Sequence, residues 1–250
     1  MSSEQVRPLR RERRAAALAQ RRAAPRTAAR QPRRFGIGLV SVLALLAGLL
    51  IVAAILVVGG GPKPAPASII RAAAPAGIPV SGRILGNAAA PVTIDLYEDF
   101  QCPACLRWGQ NVFPNLVRNE LGAGSAKIAF HGFAFIGAES KDAGRAAWAA
   151  EQQGRFWDMW ATLYANQGVR ENGGSFGRER LIAMANSLGL DVARFTADLD
   201  SAGAAAFVAD GIADATRAGV NSTPTVIVNG TVVAGGYTEL AAAIAVAAGR

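Results

Sequence analysis

The stretch EDFQCPAC, Glu98–Cys105, holds both cysteines of the 250-residue chain. Pro103 and Ala104 separate Cys102 from Cys105. Upstream, Val92–Glu98 is rich in β-branched and aromatic residues and predicts a strand running into the pair. Downstream, a helical pattern begins at Pro103 and is expected to reach about Leu121, kinked at Pro114. Proline suits a first helical position, because the N–H it lacks would be unpaired there anyway. The Cys102 sulfur is therefore expected at a helix N-terminus, where free N–H groups and the helix dipole favour a thiolate. Cys105, one turn further in, is expected to be shielded.

A structural zinc site needs four ligands from Cys and His, and beyond the pair the chain offers only His131. Covalent haem attachment needs His directly after the second cysteine, where Leu106 stands. A passive disulfide closing so small a loop constrains little chain. A redox-active dithiol is the reading that uses the strand–helix junction, with Cys102 attacking and Cys105 resolving.

Ala126 to Phe133 predicts a second strand, and Ser140 to Ala218 carries helical signals throughout. Leu181, Met184, Ala185 and Leu188 share one helical face before Gly189, as do Val208, Ile212 and Ala215 before Gly219. TPTVIVNGTVVAGG then reads as a hairpin turning at Asn229-Gly230, and YTELAAAIAVAA as a closing helix. Thr223-Pro224 stands directly before the strand Thr225–Val228. A proline at a strand's first residue is tolerated in any sheet edge.

The net charge of +8 is misleading. Residues 1–34 hold 11 Arg against Glu4 and Glu12, a net of +9, and the remainder carries 15 basic and 16 acidic residues. A folded nucleic-acid reader would carry its charge on a structured face, so no nucleic-acid partner is expected. The tail is too poor in large apolar residues to order itself. Phe35–Val58 is an uncharged run of 24 residues, about 36 Å as a helix against a hydrocarbon core of about 30 Å. It is longer than the apolar region of a signal peptide, so an uncleaved transmembrane anchor is expected. The arginine asymmetry places 1–34 in the cytoplasm and the rest outside. Residues 59–81 are expected to be a Gly/Pro-rich linker and 82–250 the folded domain.

LGNAAAPVTIDLYEDFQCPAC, GRFWDMWATLYANQ and GVNSTPTVIVNG together resemble the DsbA-like thiol–disulfide oxidoreductases, specifically the membrane-anchored bacterial branch. The similarity runs from about Gly82 to the C-terminus. It implies an α/β thioredoxin fold with a helical insert at about 140–218. It implies Cys102 and Cys105 as the catalytic pair, and a cis-proline at Pro224, preceded by Thr223, where substrate docks. It implies reduced exported proteins as substrates, a membrane quinone-linked thiol oxidase for recycling, and a bilayer contact through the anchor. No cofactor and no metal is expected, and the chain is expected to act as a monomer. The alternatives are a membrane-tethered reductase and a non-enzymatic scaffold with a thioredoxin fold.

The best-known oxidases of the family have His where Ala104 stands, which removes one stabiliser of the thiolate. The buried acid often found six residues before the first cysteine is here Leu96. Glu98 shares a strand face with Leu96 and is the candidate proton-transfer group, although the simpler expectation for Glu98-Asp99 is a solvated carboxylate pair. His131, mid-strand, is expected to be structural. Trp108 fits either a wall of the site or ordinary packing, and Phe156, Trp157 and Trp160 fit the core of the insert. Protease added to intact spheroplasts should remove 82–250 and leave a tail-plus-span fragment. A mature N-terminus near Ser68 would contradict the anchor.

Overall fold

Val92, Ile94 and Leu96 alternate along one strand, and all three are fully buried. They lie at the centre of the sheet in the computed structural model, which describes residues 68–250. The strands are β1 (Val80–Ser81), β2 (Ile84–Gly86), β3 (Val92–Glu98), β4 (Ala126–Gly132), β5 (Thr225–Val228) and β6 (Thr231–Val233). They form one sheet in the order β1-β2-β4-β3-β5-β6. β3 and β4 are parallel, with Leu96 opposite Phe130, and every other pairing is antiparallel. Asn229 and Gly230 both take positive φ, 44° and 87°, at the β5–β6 turn. That geometry joins two twisted strands without splaying them.

Pro103–Asn111 (α1) starts the crossover from β3 to β4. The expected helix to Leu121 is interrupted at Val112. Phe113–Leu116 (α2) follows, then a π-helical turn Val117–Leu121. Pro114 causes the interruption, because it has no N–H to give to the preceding turn. Between β4 and β5 come α3 (Ala138–Glu151), α4 (Phe156–Ala165), α5 (Arg178–Ser187), α6 (Val192–Leu199) and α7 (Ala202–Arg217). Tyr237–Ala247 (α8) closes the chain.

The even-numbered face of β3 packs with Ile128, Phe130, Val226 and Val228 against Phe156 and Trp157 of α4. Tyr97 and His131, register partners on the opposite face, stack at 4.4 Å. His131 holds Asp95 through Nε2 at 2.9 Å and Asp214 of α7 through Nδ1 at 2.8 Å. It thus clamps α7 to the sheet.

The linker expectation fails at its C-terminal end. Residues 70–74 lie along α4 rather than free. The N–H groups of Ile70, Ala72 and Ala74 donate to Asn166 Oδ1, Thr162 Oγ1 and Asp158 Oδ1 at 3.0, 3.2 and 2.9 Å. Four residues of helix rise about 6.0 Å and two residues of extended chain about 6.6 Å, so the two repeats stay in step. β1 and β2, also absent from the sequence reading, extend the sheet from the same region; neither is longer than three residues, too short for a strand pattern. The expected transmembrane span, Phe35–Val58, lies outside the described residues. Among the described residues no helix is long and apolar enough to cross a membrane.

α7 approaches β4 so closely that a Cβ on Gly211 would lie 2.3 Å from the Gly132 carbonyl oxygen. The obstacle is backbone and cannot rotate away. Gly211→Ala should cost about 1–3 kcal/mol of stability, measured by urea unfolding. An unchanged midpoint would show that α7 can retreat from the sheet without loss.

Candidate active site

Cys102 ends the turn out of β3 and caps α1 with extended backbone, φ −71° and ψ 117°. Its side chain points back over the first turn, where the Cys105 N–H donates to its sulfur at 3.4 Å. From the other side the Cys102 thiol donates to the Thr223 carbonyl oxygen at 3.3 Å. The Thr223-Pro224 bond is cis, the isomer that the family resemblance implies. Residues 121 positions apart thus meet at one sulfur. Both thiols are free. Cys102 is 7% exposed and Cys105 is fully buried. The Thr223 hydroxyl is buried beside them without a hydrogen-bond partner.

The two thiols are driven apart electrostatically. The Cys102 pKa is pulled down to about 6. Hydrogen bonding with the Cys105 side chain is the main cause; Thr223 and the N–H groups of Cys105 and Ala104 add to it, against the cost of burial. Burial pushes the Cys105 thiol far up, aided by its bond to Cys102 and by the Glu98 charge. A helix start whose N–H groups face one sulfur and whose packing covers the other produces this asymmetry.

Glu98 is not solvated, and neither is Asp99: each is 1% exposed. This corrects the expectation of a surface carboxylate pair. The end of β3 is covered by α4 on one face and by residues 133–137 at its tip, neither of which is adjacent in sequence. Glu98 Oε2 accepts the Trp160 indole N–H at 2.8 Å, while Oε1 is buried without a partner. Burial raises its pKa to about 8, against hydrogen bonds from Trp160 and Tyr164, and the Cys102 charge raises it further. Asp99 accepts N–H groups from Gln101, Phe135 and Ile136 and the Ser140 hydroxyl. Gln167 Nε2 donates to the Phe100 and Cys102 carbonyls at 2.7 and 3.0 Å. Sequence reasoning missed Asp99, Gln101 and Gln167. For Asp99 a local signal existed: an Asp two residues before Gln101 is an Asx-turn pattern ahead of a helix start.

The other expected residues make no hydrogen bond to the sulfurs. Trp108 is buried and packs at 6.2 Å from Phe113, as core rather than an open wall. His131 lies on the opposite face of the sheet in a cleft with Arg83, Asp210 and Arg217.

A cis-proline facing a two-cysteine helix start is thioredoxin architecture, and the thioredoxin family model matches residues 80–245. The chain belongs to the thioredoxin family. A probable disulfide bond formation protein D of Bacillus cereus is 37% identical over 86 residues, 33% of this chain and 39% of that protein. The chain therefore matches well under half the length of that relative. A Na(+)/H(+) antiporter NhaA 1 of Mycolicibacterium gilvum is 32% identical over 156 residues, 61% of this chain and 24% of that protein. Among solved structures, oxidised BdbD from Bacillus subtilis superposes with a TM-score of 0.64 at 23% identity. It covers 73% of this chain and 100% of its own, which establishes the shared fold.

The pKa contrast predicts selective chemistry. In the reduced protein Cys102 should alkylate with a half-maximal rate near pH 6, while Cys105 stays protected up to pH 9 unless the chain is unfolded. Because the folded pKa of Cys102 lies below that of a free thiol, its contribution to reduced-state stability is complete only above about pH 8.5. That contribution is lost as pH falls through about 6. Mass spectrometry after timed alkylation reads the first effect, and urea unfolding across pH the second. A midpoint near that of a free thiol would contradict the site geometry.

Proposed function

We propose that this chain is a membrane-tethered, extracytoplasmic dithiol oxidase of the DsbA-like kind, introducing disulfides into reduced exported proteins. The observation that carries the reading is the Cys102 sulfur, held between the Cys105 N–H and the Thr223 carbonyl. The Bacillus relative, named for disulfide bond formation, supports the same class. In this reading residues 1–34 are cytoplasmic, 35–58 are the anchor, and the catalytic pair is Cys102 and Cys105, with substrate docking at Thr223-Pro224.

In the oxidised form a substrate thiolate attacks Cys102 Sγ. The Cys102–Cys105 bond breaks, its electron pair leaves on Cys105, and a mixed disulfide joins Cys102 to the substrate. Glu98, with a pKa of about 8, holds its proton at neutral pH and gives it to the departing Cys105 sulfur. A second substrate thiolate then attacks the substrate's own sulfur in the mixed disulfide. The electron pair leaves on Cys102, which is stable as a thiolate. Two electrons have passed to the enzyme, and a membrane quinone-linked thiol oxidase would remove them. Stabilising the thiolate stabilises the reduced form, which makes the disulfide a stronger oxidant.

Equilibration of the full chain with glutathione buffers tests the direction. The expected potential lies between about −120 and about −230 mV, whereas about −270 mV would place the chain with the reductases. Cys105→Ser should accumulate mixed disulfides with reduced substrate, and Cys102→Ser should abolish oxidation; a scaffold would trap nothing. Glu98→Gln should slow oxidation severalfold while leaving the Cys102 alkylation midpoint near its original value.

A further inference from the structure

Asp99 makes no contact with either sulfur, yet it is the most fully coordinated side chain near them. Oδ1 accepts the Gln101 N–H at 2.8 Å and the Ser140 hydroxyl at 2.6 Å. Oδ2 accepts the N–H groups of Phe135 and Ile136, each at 3.0 Å. Every contact is a donor aimed at it, the arrangement an ionised carboxylate satisfies. Burying a carboxylate is costly unless it is hydrogen-bonded in this way. Three segments distant in sequence meet on it: the turn out of β3, residues 135–136 beyond β4, and the first turn of α3.

The network continues outward. Ser140 accepts from Gln101 Nε2 at 2.9 Å, and the Asn172 N–H donates to Gln101 Oε1 at 2.5 Å. Asn172 sits at φ 50°, a left-handed conformation. Gln167, on the same loop between α4 and α5, holds the Phe100 and Cys102 carbonyls. The Asp99 carbonyl itself accepts the Cys102 N–H at 2.9 Å and the Tyr164 hydroxyl at 3.3 Å. Backbone groups of all four residues from Asp99 to Cys102 are therefore fixed by protein partners. Pro103 and Ala104, which open α1, carry no side-chain hydrogen-bonding group that could supply that restraint.

We propose that Asp99 is the positioning residue for thiol–disulfide exchange, its carboxylate locking the 99–102 turn so that the Cys102 sulfur stays on the donor groups of α1. Gln101 and Ser140 extend the lock to the loop carrying Asn172. This inference rests on reading Cys102 as the reacting sulfur. Position and charge act in opposite directions here, which makes the idea separable. Removing a nearby negative charge alone would favour the Cys102 thiolate. Releasing the turn would take the sulfur off its donors and disfavour it.

Asp99→Asn keeps the shape but forces an amide N–H against backbone N–H donors. In the full chain it should raise the pH midpoint of Cys102 alkylation by about one unit, a tenfold weaker bias toward thiolate. Ser140→Ala, which removes one donor to Asp99 and one acceptor from Gln101, should give a smaller shift of the same sign. Thermal unfolding followed in parallel separates this from loss of fold. A midpoint that stays put or falls in folded Asp99→Asn, whatever its melting temperature, overturns the proposal. If Asp99→Asn does not fold, Ser140→Ala decides by the same criterion. The alkylation readout needs no substrate. Upward shifts in a protein whose wild type oxidises no reduced substrate would leave the positioning role intact and remove the oxidase reading instead.

Discussion

A thiolate at the start of a helix must be held against its own desolvation. Cys102 is nearly inaccessible, and burial alone would push its pKa up. Hydrogen bonds from Cys105, Thr223 and the first N–H groups of α1 win instead. These bonds exist only if three things hold: extended backbone at Cys102, a helix that starts at once, and a Thr223 side chain delivered from the far end of the chain. The rest of the domain can be understood as what secures those conditions. β3 delivers the turn, Pro103 starts the helix, and α7, clamped to β3 and β4 by His131, precedes the loop that carries Thr223-Pro224.

α4 shows how one short helix serves several of these needs. Its apolar side, Phe156 and Trp157, covers the sheet. Trp160 and Tyr164 turn their polar tips toward Glu98 and the Asp99 carbonyl. Asp158, Thr162 and Asn166, four residues apart, receive residues 70–74. Aromatic residues with a polar end are suited to this position, since they fill the core and still satisfy a buried acceptor. The cost appears in the unpartnered Glu98 Oε1 and the raised pKa of that carboxyl. An acid that keeps its proton at neutral pH suits the proton transfer to Cys105 proposed above.

Several local features are legible in the sequence. The limits of β3, the Asn229-Gly230 hairpin, the helix start at Pro103 and the interruption near Pro114 depend on side-chain periodicity and on the torsional limits of proline and glycine. These act over a few residues and are written in the chain. Where the signal was short or the partner distant, the reading failed. β1 and β2 are below the length at which alternation can be recognised, and residues 70–74 look like linker until α4 is beside them.

The sequence by itself determined that two thiols sit at a strand–helix junction and that the chain outside the tail is near neutral. It also determined that a proline precedes the strand beginning at Thr225. Only the tertiary structure decided that Glu98 and Asp99 are buried, that one carboxyl is left half-satisfied and the other saturated with donors, and that Gln167 grips the Cys102 carbonyl. The reason is that burial depends on what packs over the end of β3, and α4 and residues 133–137 reach it from distant parts of the chain. An Asp beside a Glu reads the same in solvent and in a core. Which of the two it meets is decided by packing that no local pattern records.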